Sequence, residues 1–145
     1  MSVEDWVVRD VEQSDLDWLT STLTEGLGKN SYFHGVSLAS TDNLSRQMTF
    51  QVESSKLSCA VACTADDDHE PAGWVIYRQV PSLTIAYAHV DEAFRGLGAW
   101  RAMREHIGLK PQQLVGVVLA SPTAMKLARA KYQAKHNWGM VLEWL

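Results

Sequence analysis

The most constraining stretch of this chain is a change of rhythm at Val90. Before it, three consecutive segments read as strands: Lys56 to Thr64, Gly73 to Val80 and Leu83 to Val90. After it comes Asp91-Glu92-Ala93-Phe94-Arg95-Gly96-Leu97-Gly98, and then apolar residues recur every fourth position at Ala99, Met103 and Ile107. That spacing predicts a helix with one buried face, ended by Gly108. A strand that passes through a glycine-rich turn into a helix demands a sheet with a helix packed across it.

The flanking segments fit the same plan. Trp6 to Val11 reads as a first strand. Ser14 precedes Asp15-Leu16-Asp17-Trp18-Leu19, a hydroxyl cap followed by early acids, so a helix is expected to start there. Gly26 or Gly28 ends that helix, and residues 28–37 read as a polar, glycine-bearing loop. A second helix is expected from Asp42 to about Glu53, with Leu44, Met48 and Val52 on one face. Leu114 to Leu119 is a short strand of buried type, and Ser121-Pro122 caps a helix lined by Ala124, Leu127, Ala128 and Tyr132. Trp138 to Leu145 reads as a final strand. The order β-α-α-β-β-β-α-β-α-β implies an α/β (α+β) mixed sheet with helices on both faces.

Residues 1–145 are expected to form one domain, with enough chain for a core of its own. With 46% hydrophobic and 21% charged residues, the composition excludes a disordered or collagen-like chain. No uncharged apolar run reaches bilayer length, and the acidic N-terminus lacks a signal-peptide pattern. A soluble, cytoplasmic protein with no membrane partner is the expectation. Cys59 and Cys63 fall on one face of a strand and read as small core residues rather than a metal or redox pair. The acids at 66–70 read as a solvated hairpin tip, so no metal is expected.

Net charge is −4, but it is unevenly spread. Residues 1–92 carry 15 acids and five Lys/Arg, whereas residues 93–145 carry two acids and eight Lys/Arg. The basic half suits an anionic ligand. Nucleic acid is the weakest candidate, because no recognised binding motif accompanies the charge. A helix N-terminus behind a glycine turn offers unpaired N–H groups and the positive end of a dipole, a fit for phosphate. The turn is neither a Walker loop nor a dinucleotide fingerprint.

The order of elements and this turn resemble the GNAT superfamily of CoA-dependent N-acyltransferases, over nearly the whole chain. In that family a strand ending in Val leads into an R/Q-x-x-G-x-G/A turn. Here Val90, Arg95 and Gly98 match, and Gly96 matches a frequent Arg-Gly variant. The resemblance implies that Val90, Arg95, Gly96, Leu97, Gly98, Ala99, Trp100 and Arg101 hold the pyrophosphate of acetyl-CoA. It also implies a general acid at Tyr132, four residues after Ala128, and transfer of an acetyl group to an amine of a small molecule or protein. No Asp or Glu lies on Ile85–Val90, so His89 and Tyr87, on one face by alternation, are the groups available as base.

Three features depart from the family pattern. Trp100 occupies the last small position of the turn, Met125 stands where an Asn is usual, and His136-Asn137-Trp138 replaces a Gly-Phe. The alternative reading is therefore a catalytically degenerate GNAT-fold accessory protein, of a kind that viruses also encode, acting by protein binding. Of the six tryptophans, Trp144 is the candidate for a partner surface, and an exchanged or edge-paired final strand would make a homodimer.

Overall fold

A computed structural model of the chain describes residues 6–29, 38–66, 68–79, 82–117 and 122–136. Among the described residues one mixed sheet runs in the order β1 (Trp6–Asp10), β2 (Ser58–Thr64), β3 (Pro71–Arg78), β4 (Thr84–Val90), β5 (Leu114–Val117) and β6 (Gln133–His136). β1 to β4 pair antiparallel, with short connections between β2, β3 and β4 only, and β5 and β6 join in parallel. Parallel neighbours require crossovers. These are α3 (Ala99–His106) and α4 (Pro122–Lys131).

The sheet is buried on both faces. Cys59, Val61, Cys63, Trp74 and Ile76 point to one side, where they meet α1 (Leu16–Lys29) and α2 (Leu38–Glu53). Ala60, Ala62, Val75 and Tyr77 point to the other, against Ala99, Met103 and Ile107 of the α3 segment. Alternation along β2 and β3 sorts the two cores, and both cysteines are free and buried as small core residues. The four α1 leucines, 16, 19, 23 and 27, are all buried at spacings of three and four. Each contributes roughly 1.5–3 kcal/mol by leaving water. Between α1 and α2 the hydroxyls of Thr20 and Thr49 pair at 2.8 Å and those of Thr24 and Ser45 at 2.5 Å.

Several boundaries differ from the sequence reading. α1 runs through both Gly26 and Gly28, because buried Leu27 keeps the helix docked on the core beyond them. α2 starts at Leu38, ahead of Asp42. At the other end α4 stops at Lys131, so Tyr132 stands between α4 and β6 instead of inside a helix. Its N–H still bonds Ala128 O at 2.8 Å, but the next N–H, of Gln133, turns to Gln113 O at 3.0 Å. Burial then alternates, with Tyr132 and Ala134 inside and Gln133 and Lys135 outside. That period of two is a strand signal hidden by the helical spacing just before it. The expected strand at 138–145, residues 30–37 of the loop expected at 28–37, and the Ser121 cap lie outside the described residues. No helix among the described residues is long and apolar enough to cross a membrane.

Candidate functional site

One irregularity lies in β4. Ile76 pairs with Tyr87 and Tyr77 with Ile85, so Ala86 is an extra residue, a β-bulge. The bulge turns Ala86 and Tyr87 to the same side, while Ile85, Ala88 and Val90 pack on the α3 side. β4 joins the described part of β5 in parallel, with Thr84 opposite Gly116 and Ile85 opposite Val117.

The chain leaves β4 through a short 3₁₀ turn at Glu92–Phe94 and enters α3 through Gly96 and Gly98. Both glycines have positive φ, 76° and 93°, a region that side chains rarely adopt. Gly98 is the N-cap and supplies no side-chain cap. The first helical bond runs from Ala102 N–H to Gly98 O at 3.0 Å, so the N–H groups of Ala99, Trp100 and Arg101 have no acceptor within the helix. Arg95 is exposed, and its Nε donates to Val90 O at 3.0 Å, tying the end of β4 to the turn. Leu97 is half-buried, and Trp100 is also half-buried, with its indole packed against the α3-side core. From β1, Trp6 Nε1 donates to Leu97 O at 2.8 Å and its ring meets Phe94 edge-on at 5.9 Å.

Tyr87 and His89 share the α1 side of the sheet, as alternation predicts. Both rings lie 5.7 Å from that of Trp74, tilted by 35° and 31°. Trp74 is fully buried, and its Nε1 donates to Thr22 Oγ1 of α1 at 2.8 Å. The Tyr87 hydroxyl sits beneath Gly26, where a Cβ would lie 2.6 Å from the phenol oxygen. Burial pushes the Tyr87 phenol up, with the Arg95 charge opposing, so Tyr87 stays a protonated donor at neutral pH. His89 Nε2 lies 2.7 Å from Asp91 Oδ1. Since a carboxylate only accepts, this contact puts the hydrogen on Nε2 and leaves Nδ1 as the acceptor in neutral histidine.

Tyr132 belongs to the opposite face. It is 7% exposed within the α3-side core, and its hydroxyl accepts a hydrogen bond from Arg104 Nη1 of α3 at 3.2 Å. The structure thus groups Tyr87 with His89 across the sheet from Tyr132, and gathers residues 95 to 101 at the start of α3.

Other residues at these positions escaped the sequence reading. Asp91 follows His89 by two positions, but from the sequence it reads as shaping the turn rather than as a partner of the histidine. Arg104 is one turn after Trp100 and registers in the sequence only as charge. Trp6 is 91 positions from Leu97, and nothing local joins them.

No protein-family model matches the sequence, and no curated protein sequence is significantly similar. Solved structures do share the fold. A proposed acetyl transferase from Pyrococcus furiosus superposes with a TM-score of 0.55 over 90% of this chain and 95% of its own, at 15% identity. The histone acetyltransferase HPA2 and related acetyltransferase from Corynebacterium glutamicum gives 0.56 over 70% and 69%, at 16% identity. A spermidine N-acetyltransferase from Vibrio cholerae, solved with CoA and spermine, gives 0.50 over 72% of this chain and 62% of its own, at 14% identity. The fold is the mixed α/β fold of the GNAT acetyltransferases.

An acyl-CoA fits the residues present. Two positive-φ glycines, a helix start without a side-chain cap and three adjacent N–H groups with no acceptor within the helix suit a diphosphate. The indole of Trp100 is partly withdrawn into the core and so does not stand wholly across that helix start.

Proposed function

We propose that this protein is a GNAT-type N-acetyltransferase that moves an acetyl group from acetyl-CoA to an amine of a small molecule or protein. The observation that carries this reading is the bulged β4, which leads through a turn with two positive-φ glycines into a helix start without a side-chain cap. The first part would bind the acyl arm through β4 backbone groups and polarise its carbonyl. The second meets the diphosphate through the backbone of residues 96–101, with Val90 and Arg95 framing the turn. The likeness in fold to acetyltransferases, one of them solved with CoA and spermine, supports the same reading.

Acetyl-CoA, when bound, supplies a thioester carbonyl and a thiolate leaving group. On the α1 side, His89 Nδ1 takes a proton from the acceptor ammonium, with Asp91 holding the ring and Tyr87 beside it. On the α3 side, Tyr132 Oη carries the proton destined for the leaving sulfur. In this reading acid and base lie on opposite faces of the sheet, Tyr132 beside the start of β6 and His89 near the end of β4. The acidic residues 1–92 favour a cationic acceptor. No metal has a role in this chemistry, and the reading suits a single cytoplasmic domain.

Calorimetric titration of the full chain with acetyl-CoA and with CoA tests the reading. Micromolar binding is expected for both, together with thiol release in the presence of pooled polyamines and lysine peptides. Absence of binding would remove the cofactor assignment and leave a GNAT fold working as a protein-binding module.

A further inference from the structure

The charged groups of α3 divide by exposure. Arg101 pairs with Glu105 at 3.2 Å on the solvent side, and His106 is exposed. Arg104 turns inward instead. It is half-buried, its Nη1 donates to Tyr132 Oη at 3.2 Å, and its Nε is buried with no hydrogen-bond partner among the described residues. Withdrawing part of a guanidinium from water costs free energy, and a neutral phenol returns less of it than an anion would. The arrangement is better matched to a phenol oxygen that becomes negative during the reaction.

We infer that Arg104 is a positioning residue for Tyr132, an inference that rests on the acetyltransferase reading above. Because Oη accepts from Nη1, the phenol keeps its own proton free to be donated elsewhere. As the acceptor nitrogen bonds to the acetyl carbon and the carbon–sulfur bond breaks, that proton passes from Oη to the sulfur. The guanidinium then faces the negative charge left on Oη until solvent returns a proton. Arg104 touches neither reacting molecule and acts through Tyr132. It also joins α3 to the segment between α4 and β6, and so sets where Oη points.

The test compares Arg104→Met, Arg104→Lys, Tyr132→Phe and the Met/Phe double variant, all in the full chain. Acetyl-CoA is the probe, with thiol release measured against pooled polyamines and affinity by calorimetry. Arg104→Met should lower kcat about tenfold while leaving acetyl-CoA affinity within about twofold, and Arg104→Lys should recover part of the loss. In the Tyr132→Phe background the same substitution should change kcat no further. A second readout needs no turnover. With ¹³Cζ-labelled tyrosine, the resonance that disappears in Tyr132→Phe should move in Arg104→Met and partly return in Arg104→Lys. A resonance that stays put, or an equal loss of kcat in both backgrounds, overturns the inference. If the unsubstituted protein binds no acetyl-CoA, the acetyltransferase reading fails and the catalytic role of Arg104 falls with it, whereas the labelled resonance still reports on the contact itself.

Discussion

The indole N–H of Trp6 donates to the carbonyl of Leu97 at 2.8 Å, so the first described strand holds the glycine turn from 91 residues away. The ring of Trp6, edge-on to Phe94, braces the other end of the same turn. Trp6→Phe keeps an aromatic ring but deletes the donor, leaving Leu97 O short of a partner. A stability loss of about 1 kcal/mol is expected by urea unfolding. Acetyl-CoA affinity should also weaken, roughly three- to tenfold, with kcat at saturation unchanged; a variant that unfolds earlier but binds normally would separate the turn's geometry from binding.

The close approach of Gly26 and Tyr87 makes a sharper test of the α1 face. A Cβ on residue 26 would sit 2.6 Å from the phenol oxygen and 3.2 Å from the carbon that bears it. Gly26→Ala should therefore cost about 1–3 kcal/mol, even though alanine favours a helix. Tyr87→Phe removes the atom in closest conflict. In that background Gly26→Ala should cost distinctly less, and a double-mutant cycle by thermal or urea unfolding measures the difference. Equal costs in the two backgrounds would mean that α1 shifts to relieve the contact.

What the sequence made readable follows the range of each signal. The periods of two and of about four in β2, β3, α1 and α3 separate the two cores, because burial acts on every side chain of those elements. The turn at residues 95–98 announces itself through glycines whose φ is positive. The bulge at Ala86 has no sequence mark, since it is set by how β3 and β4 register over their whole length. Tyr132 reads as helical because one turn of apolar spacing continues past Lys131, while pairing with β5, contributed by an earlier segment, takes over at Gln133. The Arg104–Tyr132 and Trp6–Leu97 contacts likewise join distant segments, and local pattern carries no information about either.

Acid should loosen the fold through Asp15. Its carboxylate is buried and accepts from Arg9 Nη1 at 2.7 Å, from Arg9 Nη2 at 3.1 Å and from Glu12 N–H at 2.7 Å. Burial alone would push the carboxyl up, but the Arg9 and Glu12 hydrogen bonds and the guanidinium charge together carry it below its usual range. A carboxyl depressed on folding stabilises the folded state above its unfolded pKa of about 3.9, and loses that contribution as pH falls through the folded value. Stability from this group should be complete at neutral pH and decline below about pH 4. Asp15→Asn should flatten that acid limb and cost about 2–3 kcal/mol at pH 7, less than a wholly buried pair because Arg9 is partly exposed. Urea unfolding from pH 3 to 7 measures both effects, and an unchanged acid limb would assign the transition to other carboxylates.

Trp100 decides whether the turn still receives a diphosphate. Family resemblance puts a small residue there, and a bulky side chain would be expected to obstruct the ligand. The indole, however, packs against the α3-side core with Val90, Phe94 and Leu97 and is only partly exposed. Its removal should open a void at the edge of that core rather than clear a path to the backbone amides. Trp100→Ala is accordingly expected to cost about 1–3 kcal/mol in urea unfolding, below the range for a fully buried tryptophan. Its acetyl-CoA affinity should stay within about threefold of the unsubstituted protein, because the N–H donors of residues 99–101 belong to the backbone. Calorimetry separates the two readings of this residue. A variant that alone gains micromolar binding would mean that the indole closes the turn in the natural sequence, and would favour a protein-binding role for the fold over acetyl transfer.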